Sequence, residues 1–578
     1  MVYVLGMTNG HNSTVALMRD GIVVACASEE RFLRKKNFYG YPEKAIEYCL
    51  KEAKIDSSFL DKVVLASLMT PPLVVTDSGV REESSDDSNL SWFTFLSRLR
   101  TKLKVSKNLD VSLYRTVGSK FVNKTHKDRV EFISNKLGVS KDKIIAGEHH
   151  YMHALSTLYG SGMCDKELLI ITVDGEGDGI SSTVGVWNGS SYKRIASSSF
   201  ADSLGHFYSA ITEFLGLKIL EHEYKVMGLA PYAWDKEQDK VYEILKDLII
   251  VDGLQLRAKI HSHKFLDVFN VRLKNIRFDA VAAGAQKVLE KVLVEWVKNA
   301  IKETKINNLC LAGGVFMNVK ANYEILNLKG INKLYIIPSC GDDSLPIGCC
   351  YYGTSLVNKS VKLQPLKQIY FGPGFTDKEA LFDLKESEFE FKLYNDVNKR
   401  VAKLISKGDV VARCVGRMEF GARALGNRSI LASASDVSIL NHINKMIKKM
   451  DFWMPFAPVI LEKYAHKYIL EKELLKKIDP YYMMVTFNST ELAQKDLAAG
   501  VHPFDKTLRP QLINLSLNKS YYEILNEYSK LTGKYGFINT SFNIHGEPIV
   551  CTPKDAIHTL RNSDLQYLNL GNYLVWKK

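Results

Sequence analysis

Two histidines four residues apart, His149 and His153 in the run EHHYMHAL, are the residues whose types and spacing most directly suggest chemistry. At the start of a helical stretch they fall one turn apart on one face, where two imidazoles can chelate a single metal ion. Carboxylates that could complete the set lie far off in sequence. Asp174 closes the apolar strand LLIITV, and Asp342 sits in PSCGDDSLPIG after KLYIIP, with Asp343 and Asp178 as second choices. Two histidines with two carboxylates suit Fe(II), Mn(II) or Zn(II), whereas thiolates would have pointed to zinc. The plain alternative is a helix face that happens to carry HxxxH.

A second group of residues suits phosphate. In LAGGVFMNVKAN, Gly313 and Gly314 follow the strand at 308–311 where the chain turns into a helix, so backbone amides can approach a nucleotide phosphate, with Asn318 beside them. No GKS or GKT follows, so this is not a P-loop. The segment GRMEFGARALGNRSIL carries Arg417, Arg423 and Arg428 between apolar residues after a buried strand, and guanidinium groups recognise phosphate and carboxylate oxygens in bidentate fashion. Lys448, Arg509, Asn539, Ser541 and Asn543 add donors, the last three in INTSFNIHGEP, where a capped turn is the competing reading. His11, in the first inter-strand loop, is a candidate general base; a solvent-exposed loop histidine is the bland reading.

These side chains need elements that gather them. Residues 2–28 read as strand, polar loop TNGHN, strand STVALM, turn RDG and strand IVVACAS. Residues 168–197 repeat the pattern as LLIITV, loop DGEGDGIS, STVGVW, turn NGSS and YKRIAS. Two units of one plan predict a duplicated α/β domain, residues 1–355, with its ligand between the halves, as in the actin-like ATPase superfamily. Between the copies, residues 76–109 read as a Ser/Asp-rich loop and a basic amphipathic helix, a lid or a surface insertion. Beyond Gly353 a polar stretch punctuated by Pro and Gly marks a boundary. Residues 366–578 then alternate strands such as DVVARCV and YGFINTSF with helical stretches such as 396–406, predicting a smaller α/β or α+β domain.

Composition bounds the rest. A chain of 578 residues with 46% hydrophobic and 24% charged residues is an ordinary globular protein of more than one domain, too apolar to be disordered. No apolar run approaches the roughly 18 residues that span a bilayer, so the chain reads as cytoplasmic with no membrane partner. Nine cysteines without a CxxC pair indicate buried thiols rather than a disulfide framework or structural zinc. The net charge of +13 favours anionic ligands, from acyl phosphates and nucleotides to RNA, without choosing among them.

The ordered motifs resemble the O-carbamoyltransferases of nodulation-factor, cephamycin and aminoglycoside tailoring along nearly the whole chain. LGMTNGHNSTVAL, EERFLRKK, EHHYMHA, VDGEGD, HEYKVMGLAPY, LAGGVFMN, PSCGDDSLPIG, GRMEFGARALGNRSIL, DFWMPFAPVI, LRPQ and NTSFNIHGEPIV carry the likeness. It implies a duplicated actin-like (ASKHA) N-terminal domain followed by a C-terminal YrdC-like α/β domain. It implies ATP, with Mg²⁺, and carbamoyl phosphate as substrates, carbamoyl-adenylate made in the second domain, and transfer to a small-molecule hydroxyl in the first. Under it His149, His153, Asp174 and Asp342 hold a metal, usually iron, and His11 deprotonates the acceptor. The arginines of GRMEFGARALGNRS, Lys448, Arg509, Asn539 and Ser541 bind carbamoyl phosphate and ATP. Three positions depart from the pattern: Asn12 for Asp, Ser344 for Gly, and Met450 for an Arg, which makes Lys449 a substitute cation. A tRNA-modifying enzyme of the threonylcarbamoyl type and an actin-like ATPase or sugar kinase are the competing readings; GRMEFGARALG favours a small-molecule acceptor over nucleic acid.

Overall fold

The computed structural model describes residues 1–68, 126–448 and 453–578. The first of its sheets contains β1 (Tyr3–Thr8), β2 (Thr14–Arg19), β3 (Ile22–Ser28), β4 (Lys62–Ala66) and β5 (Ile144–Gly147) in the order β3-β2-β1-β4-β5. The β-branched and aliphatic residues of β1 are buried along the whole strand, as expected of a strand covered on both faces. β1 runs antiparallel to β2, with Leu5 opposite Leu17, and parallel to β4, with Leu5 opposite Val63.

The second sheet repeats this topology. β6 (Leu168–Gly177), β7 (Ile180–Trp187) and β8 (Tyr192–Ser199) form the meander, and the strands Asn308–Ala312 and Lys333–Ile336 join in parallel on the other side of β6. Duplication within the N-terminal half is therefore a property of strand order and direction. One detail differs from the sequence reading. DGEGDGIS is not a polar loop but mostly strand, because Asp178 and Gly179, with φ of 51° and 78°, close a two-residue hairpin between Gly177 and Ile180. Asp-Gly at that position is the chemistry such a turn demands.

Two helices, His149–Gly160 and Leu345–Val357, fill the space between the sheets. Their side chains Met152, Leu155, Leu158, Leu345 and Cys349 join Val4 and Val64 of the first sheet and Leu168, Ile170 and Cys310 of the second in one apolar cluster. The helices approach so closely that a Cβ at Gly348 would overlap the Met152 carbonyl. That layer carries three of the candidate metal ligands at its edge, because His149, His153 and the loop before Leu345 belong to these helices.

The C-terminal half is built on one mixed eight-stranded sheet. Its strands lie in the order Glu390–Leu393, Tyr573–Trp576, Tyr567–Leu570, Val411–Cys414, Arg428–Ala432, Gly536–Ser541, Ala457–Leu461 and Gln511–Ile513. The helices Val397–Ser406 and Lys519–Thr532 cover one face through Val401, Ile405, Ile524 and Tyr528. All nine cysteines are free thiols, eight of them buried. Among the described residues no helix is long and apolar enough to cross a membrane. The insertion at 76–109, with Lys449 and Met450, lies outside the described residues.

Candidate active site

Glu148 starts the helix that carries both histidines. Its carboxylate accepts from His150 N and Tyr151 N at 3.1 and 2.8 Å, satisfying amides that a helix start leaves open, and Arg194 anchors it. Asp178 accepts from His149 N at 2.8 Å and from Leu68 N at 2.9 Å, so it works as a second cap on the same helix. On the inner face His149 and His153 project toward the end of β6. The ligand atoms of His149, His153, Asp174 and Asp342 all lie within 4.8 Å of one another. His153 Nε2 stands 3.1 Å from Asp174 Oδ2 and 3.7 Å from Asp342 Oδ1. His149 Nε2 stands 3.9 and 3.6 Å from the same two oxygens, too far for a hydrogen bond, and is buried without one among the described residues.

Each ligand is oriented from behind. Ser67 Oγ lies 3.0 Å from His149 Nδ1, which turns Nε2 toward the carboxylates. Asp174 accepts from Gly175 N at 2.7 Å and from Gly314 N at 3.0 Å. Gly313, with φ of 102°, lies so close to Val173 that a Cβ would overlap its carbonyl. The glycine pair thus presses its loop onto β6 and fixes Asp174. Asn318 caps the Val319–Leu326 helix, accepting from Ala321 N at 3.0 Å, and donates to Gln286 at 2.8 Å. Burial drives the His149 imidazole down, but Asp342, Asp174 and Asp178 outweigh it and lift it to about 9. Burial would raise Asp174, yet the two histidines hold it well below the usual carboxylate range. Asp343 points elsewhere: Ser339 donates to it, and burial with the charge of Asp342 pushes it up to about 7.

Arg129 is a residue that sequence reading passed over. It is 5% exposed, and it donates to the Ser67 carbonyl at 2.9 Å and to Asn9 Oδ1 at 3.2 Å. One guanidinium therefore joins the loop that carries His11 to the residue that orients His149. Asn12, next to His11, takes φ of 53°, a left-handed conformation that Asn tolerates better than most side chains. A lone Arg in a helical stretch gives no sequence signal for such a task.

In the second half the candidate anion-binding residues separate into two groups. Arg428 is fully buried, and its three nitrogens donate to the carbonyls of Cys551, Val415, Asn427, Pro373 and Gly416 at 2.6–3.2 Å. Arg417 faces the first half, donating to Val24 O at 2.9 Å, Tyr48 Oη at 3.0 Å and Phe371 O at 2.6 Å, with Glu52 3.3 Å away. Arg423 and Arg509 differ. The Nε–H of each is buried without an acceptor among the described residues. Burial lowers both, and the charge of Arg423 lowers Arg509 further, so the two guanidiniums are neighbours that feel each other's charge. Arg509 borders a cavity of about 50 Å³ between the halves, with Lys320, Pro455 and Thr486. Asn539 donates to Ala424 O and Gln511, and its buried Oδ1 has no donor among the described residues; Ser541 donates to Asn543, which donates to Ile544 O and Glu547 O. Lys448 ends the π-helical turn Asn444–Lys448.

Comparison with known proteins matches two stretches of the chain to one family. A family model described as Carbamoyltransferase N-terminus matches residues 3–351, and one described as Carbamoyltransferase C-terminus matches residues 402–577. The chain is 31% identical to an uncharacterised Synechocystis protein, over 100% of this chain and 97% of that one. It is 29% identical to nodulation protein NolNO of Sinorhizobium fredii, over 98% of this chain and 79% of that protein. Among solved structures, component A of (R)-2-hydroxyglutaryl-CoA dehydratase from Acidaminococcus fermentans covers 62% of this chain and 100% of its own, with 12% identity and a TM-score of 0.32. Full-length HypF in its phosphate- and nucleotide-bound form covers 62% of this chain and 56% of its own, with 13% identity and a TM-score of 0.33.

Proposed function

The chain belongs to the carbamoyltransferase family, and from that premise we infer that it is an ATP-dependent O-carbamoyltransferase working through carbamoyl-adenylate on a small-molecule alcohol. The observation that carries the reading is the pairing, in one chain, of a His₂Asp₂ donor cluster with a separate pair of half-buried arginines whose buried Nε–H groups lack acceptors among the described residues.

In the second half Arg423 and Arg509 bind the phosphate groups of carbamoyl phosphate and ATP, helped by Asn539 and by Lys448. Carbamoyl phosphate, ATP and water give carbamoyl-adenylate, pyrophosphate and phosphate. The adenylate is a better donor to a neutral alcohol than carbamoyl phosphate, and it carries a nucleotide that a cleft can hold. Arg417 and Arg428, with their donors spent on carbonyls, build the walls of this site rather than touch the substrate.

The N-terminal cluster fits a divalent metal: His149 Nε2 is buried with no hydrogen bond among the described residues, and two imidazoles and two carboxylates converge within 4.8 Å. Fe(II) suits this mixed nitrogen and oxygen set, held by His149, His153, Asp174 and Asp342, and its charge would favour phosphate oxygens of the adenylate as AMP departs. His11 accepts the proton of the acceptor hydroxyl as its oxygen attacks the carbamoyl carbon and AMP leaves. Arg129 keeps the His11 loop in register with His149 through Asn9 and Ser67.

The test separates the two half-reactions. The parent should exchange labelled pyrophosphate into ATP only when carbamoyl phosphate is present. His11→Asn should keep that exchange while carbamoyl transfer, read as a mass shift on candidate alcohols, falls by about 10²–10⁴-fold. A parent without carbamoyl phosphate-dependent exchange would end the adenylate reading. Equal loss of exchange and transfer in His11→Asn would end the role given to His11.

A further inference from the structure

A second group of metal-binding side chains lies beside the first and is not used by the mechanism above. Glu176 stands two residues beyond Asp174 on β6, His206 is on the Leu204–Phe214 helix, and His263 is in the short turn Ser262–Lys264. One ligand atom from each lies within 4.8 Å of the others. His263 Nε2 is 3.9 Å from Glu176 Oε2, and the rings of His206 and His263 have centroids 5.0 Å apart. Three elements separated by tens of residues converge here, so the group is not a by-product of local helical spacing.

The backing of His206 is that of a ligand. Ser262 Oγ donates to the Phe200 carbonyl at 2.9 Å and lies 3.0 Å from His206 Nδ1. A hydroxyl whose proton is committed to a carbonyl can only accept, so Nδ1 carries the imidazole proton and Nε2 keeps its lone pair. That lone pair is the atom turned toward Gly175, between Asp174 and Glu176. Ser203 Oγ donates to Gly175 O at 2.6 Å and accepts from His206 N at 2.9 Å, tying the helix to the strand that carries Glu176. His263 is 54% exposed and Glu176 29% exposed in their side chains, so an ion at this point is reachable from solvent.

We propose that Glu176, His206 and His263 form a second site for a divalent first-row transition ion, next to the His149 cluster, with open coordination positions that take an oxygen ligand. Two imidazoles and one carboxylate are a sufficient protein set for such an ion, and three protein ligands leave at least one position for water or a hydroxyl. The site stands on its own residues and does not depend on the identity of the reaction.

Co²⁺ is the probe. The full-length protein, stripped with chelator, should take up two equivalents of Co²⁺ by equilibrium dialysis and elemental analysis, with two components in its visible absorption. His206→Ala combined with His263→Ala should bind one equivalent and lose one absorption component. His149→Ala combined with His153→Ala should also bind one, but keep the component that the first pair loses. Glu176→Gln conserves shape at a partly exposed position and should weaken the second equivalent at least about 10-fold without lowering the melting temperature. A single equivalent in the parent that persists when His206 and His263 are both replaced overturns the proposal. So does a second equivalent that survives loss of His206 and His263 or is indifferent to Glu176→Gln. Loss of the first equivalent alone would count against the His149 cluster and leave the second site standing.

Discussion

Gly177→Ala tests the geometry of the His149 cluster without touching a ligand. Gly177 ends β6 opposite His149, and a Cβ there would overlap Cγ and Cδ2 of the imidazole and stand 2.7 Å from its Cβ. Carbon atoms rest about 3.5–4.0 Å apart, so the ring must retreat by about 1 Å or more. His149 is 3% exposed and has little space to retreat into. A functional constellation tolerates displacements of about 0.5 Å, so Nε2 leaves coordinating range while the other three donors stay. The expected cost in stability is about 1–3 kcal/mol, typical of overpacking, and the expected loss in metal affinity is at least about 100-fold.

Chelator competition gives the affinity and thermal melting gives the stability. Gly185→Ala is the control, since a Cβ there would overlap the Tyr192 ring within the same sheet but away from the cluster. Tyr192 supplies none of the cluster's donor atoms, so that variant should lose some stability and keep its metal. Parental affinity in Gly177→Ala would refute the argument that His149 is held against the strand as a ligand. Equal metal loss in both variants would show that strain anywhere in the sheet releases the ion.

Other outcomes follow from the same contacts. Arg423→Ala or Arg509→Ala should abolish carbamoyl phosphate-dependent pyrophosphate exchange with metal content and melting temperature unchanged, because their buried Nε–H groups serve a ligand. Arg428→Ala should instead cost about 3 kcal/mol or more in denaturant unfolding, since five buried carbonyls lose their donor. In chelated protein His149 is raised above its unfolded value, so the stability that it contributes is complete below about 6.5 and lost as pH rises through about 9. Melting temperature of the chelated form should therefore fall across that window, while the metal-loaded form, whose imidazole must be neutral, should lack this limb.

Much of the site was legible because its chemistry is written in spacing. HxxxH fixes two imidazoles on one helical turn, and the repeated strand-loop-strand pattern predicts two sheets facing one ligand. Ser67, Arg129 and Gly177 were not legible, since a serine, an arginine and a glycine become specific only when tertiary packing brings them against His149 and Asn9. The arginines illustrate a different limit. A Gly-punctuated loop leaves backbone carbonyls outside any ladder, and a buried guanidinium can answer those carbonyls as well as it answers phosphate. From sequence Arg417, Arg423 and Arg428 look alike. Only their surroundings distinguish Arg428, caged by carbonyls, from Arg423, whose Nε–H has no acceptor among the described residues.

The two half-sites share a hinge of contacts that neither half could form alone. Arg31 donates to Gly421 O at 2.9 Å, and Ala422 N donates to Ser339 Oγ at 3.1 Å. Ser339 in turn donates to Asp343, beside Asp342. Residues 421 and 422 immediately precede Arg423, so the segment that carries the proposed phosphate-binding arginine also clamps the segment that carries Asp342, the proposed metal ligand. Arg34 adds bonds to Ile549 O at 2.6 Å and Pro548 O at 2.7 Å, which spends both arginines of EERFLRKK on the other half. Asp342 is the most exposed of the four donors, at 30% against 18% for Asp174, and it opens the single 3-10 turn Asp342–Ser344 rather than sitting inside a strand or a longer helix. Its position is the one most dependent on that clamp. Under the proposed mechanism a labile carbamoyl-adenylate made in one half and consumed in the other would require the halves to stay in fixed register, and these hydrogen bonds supply directional contacts where apolar packing alone would permit sliding.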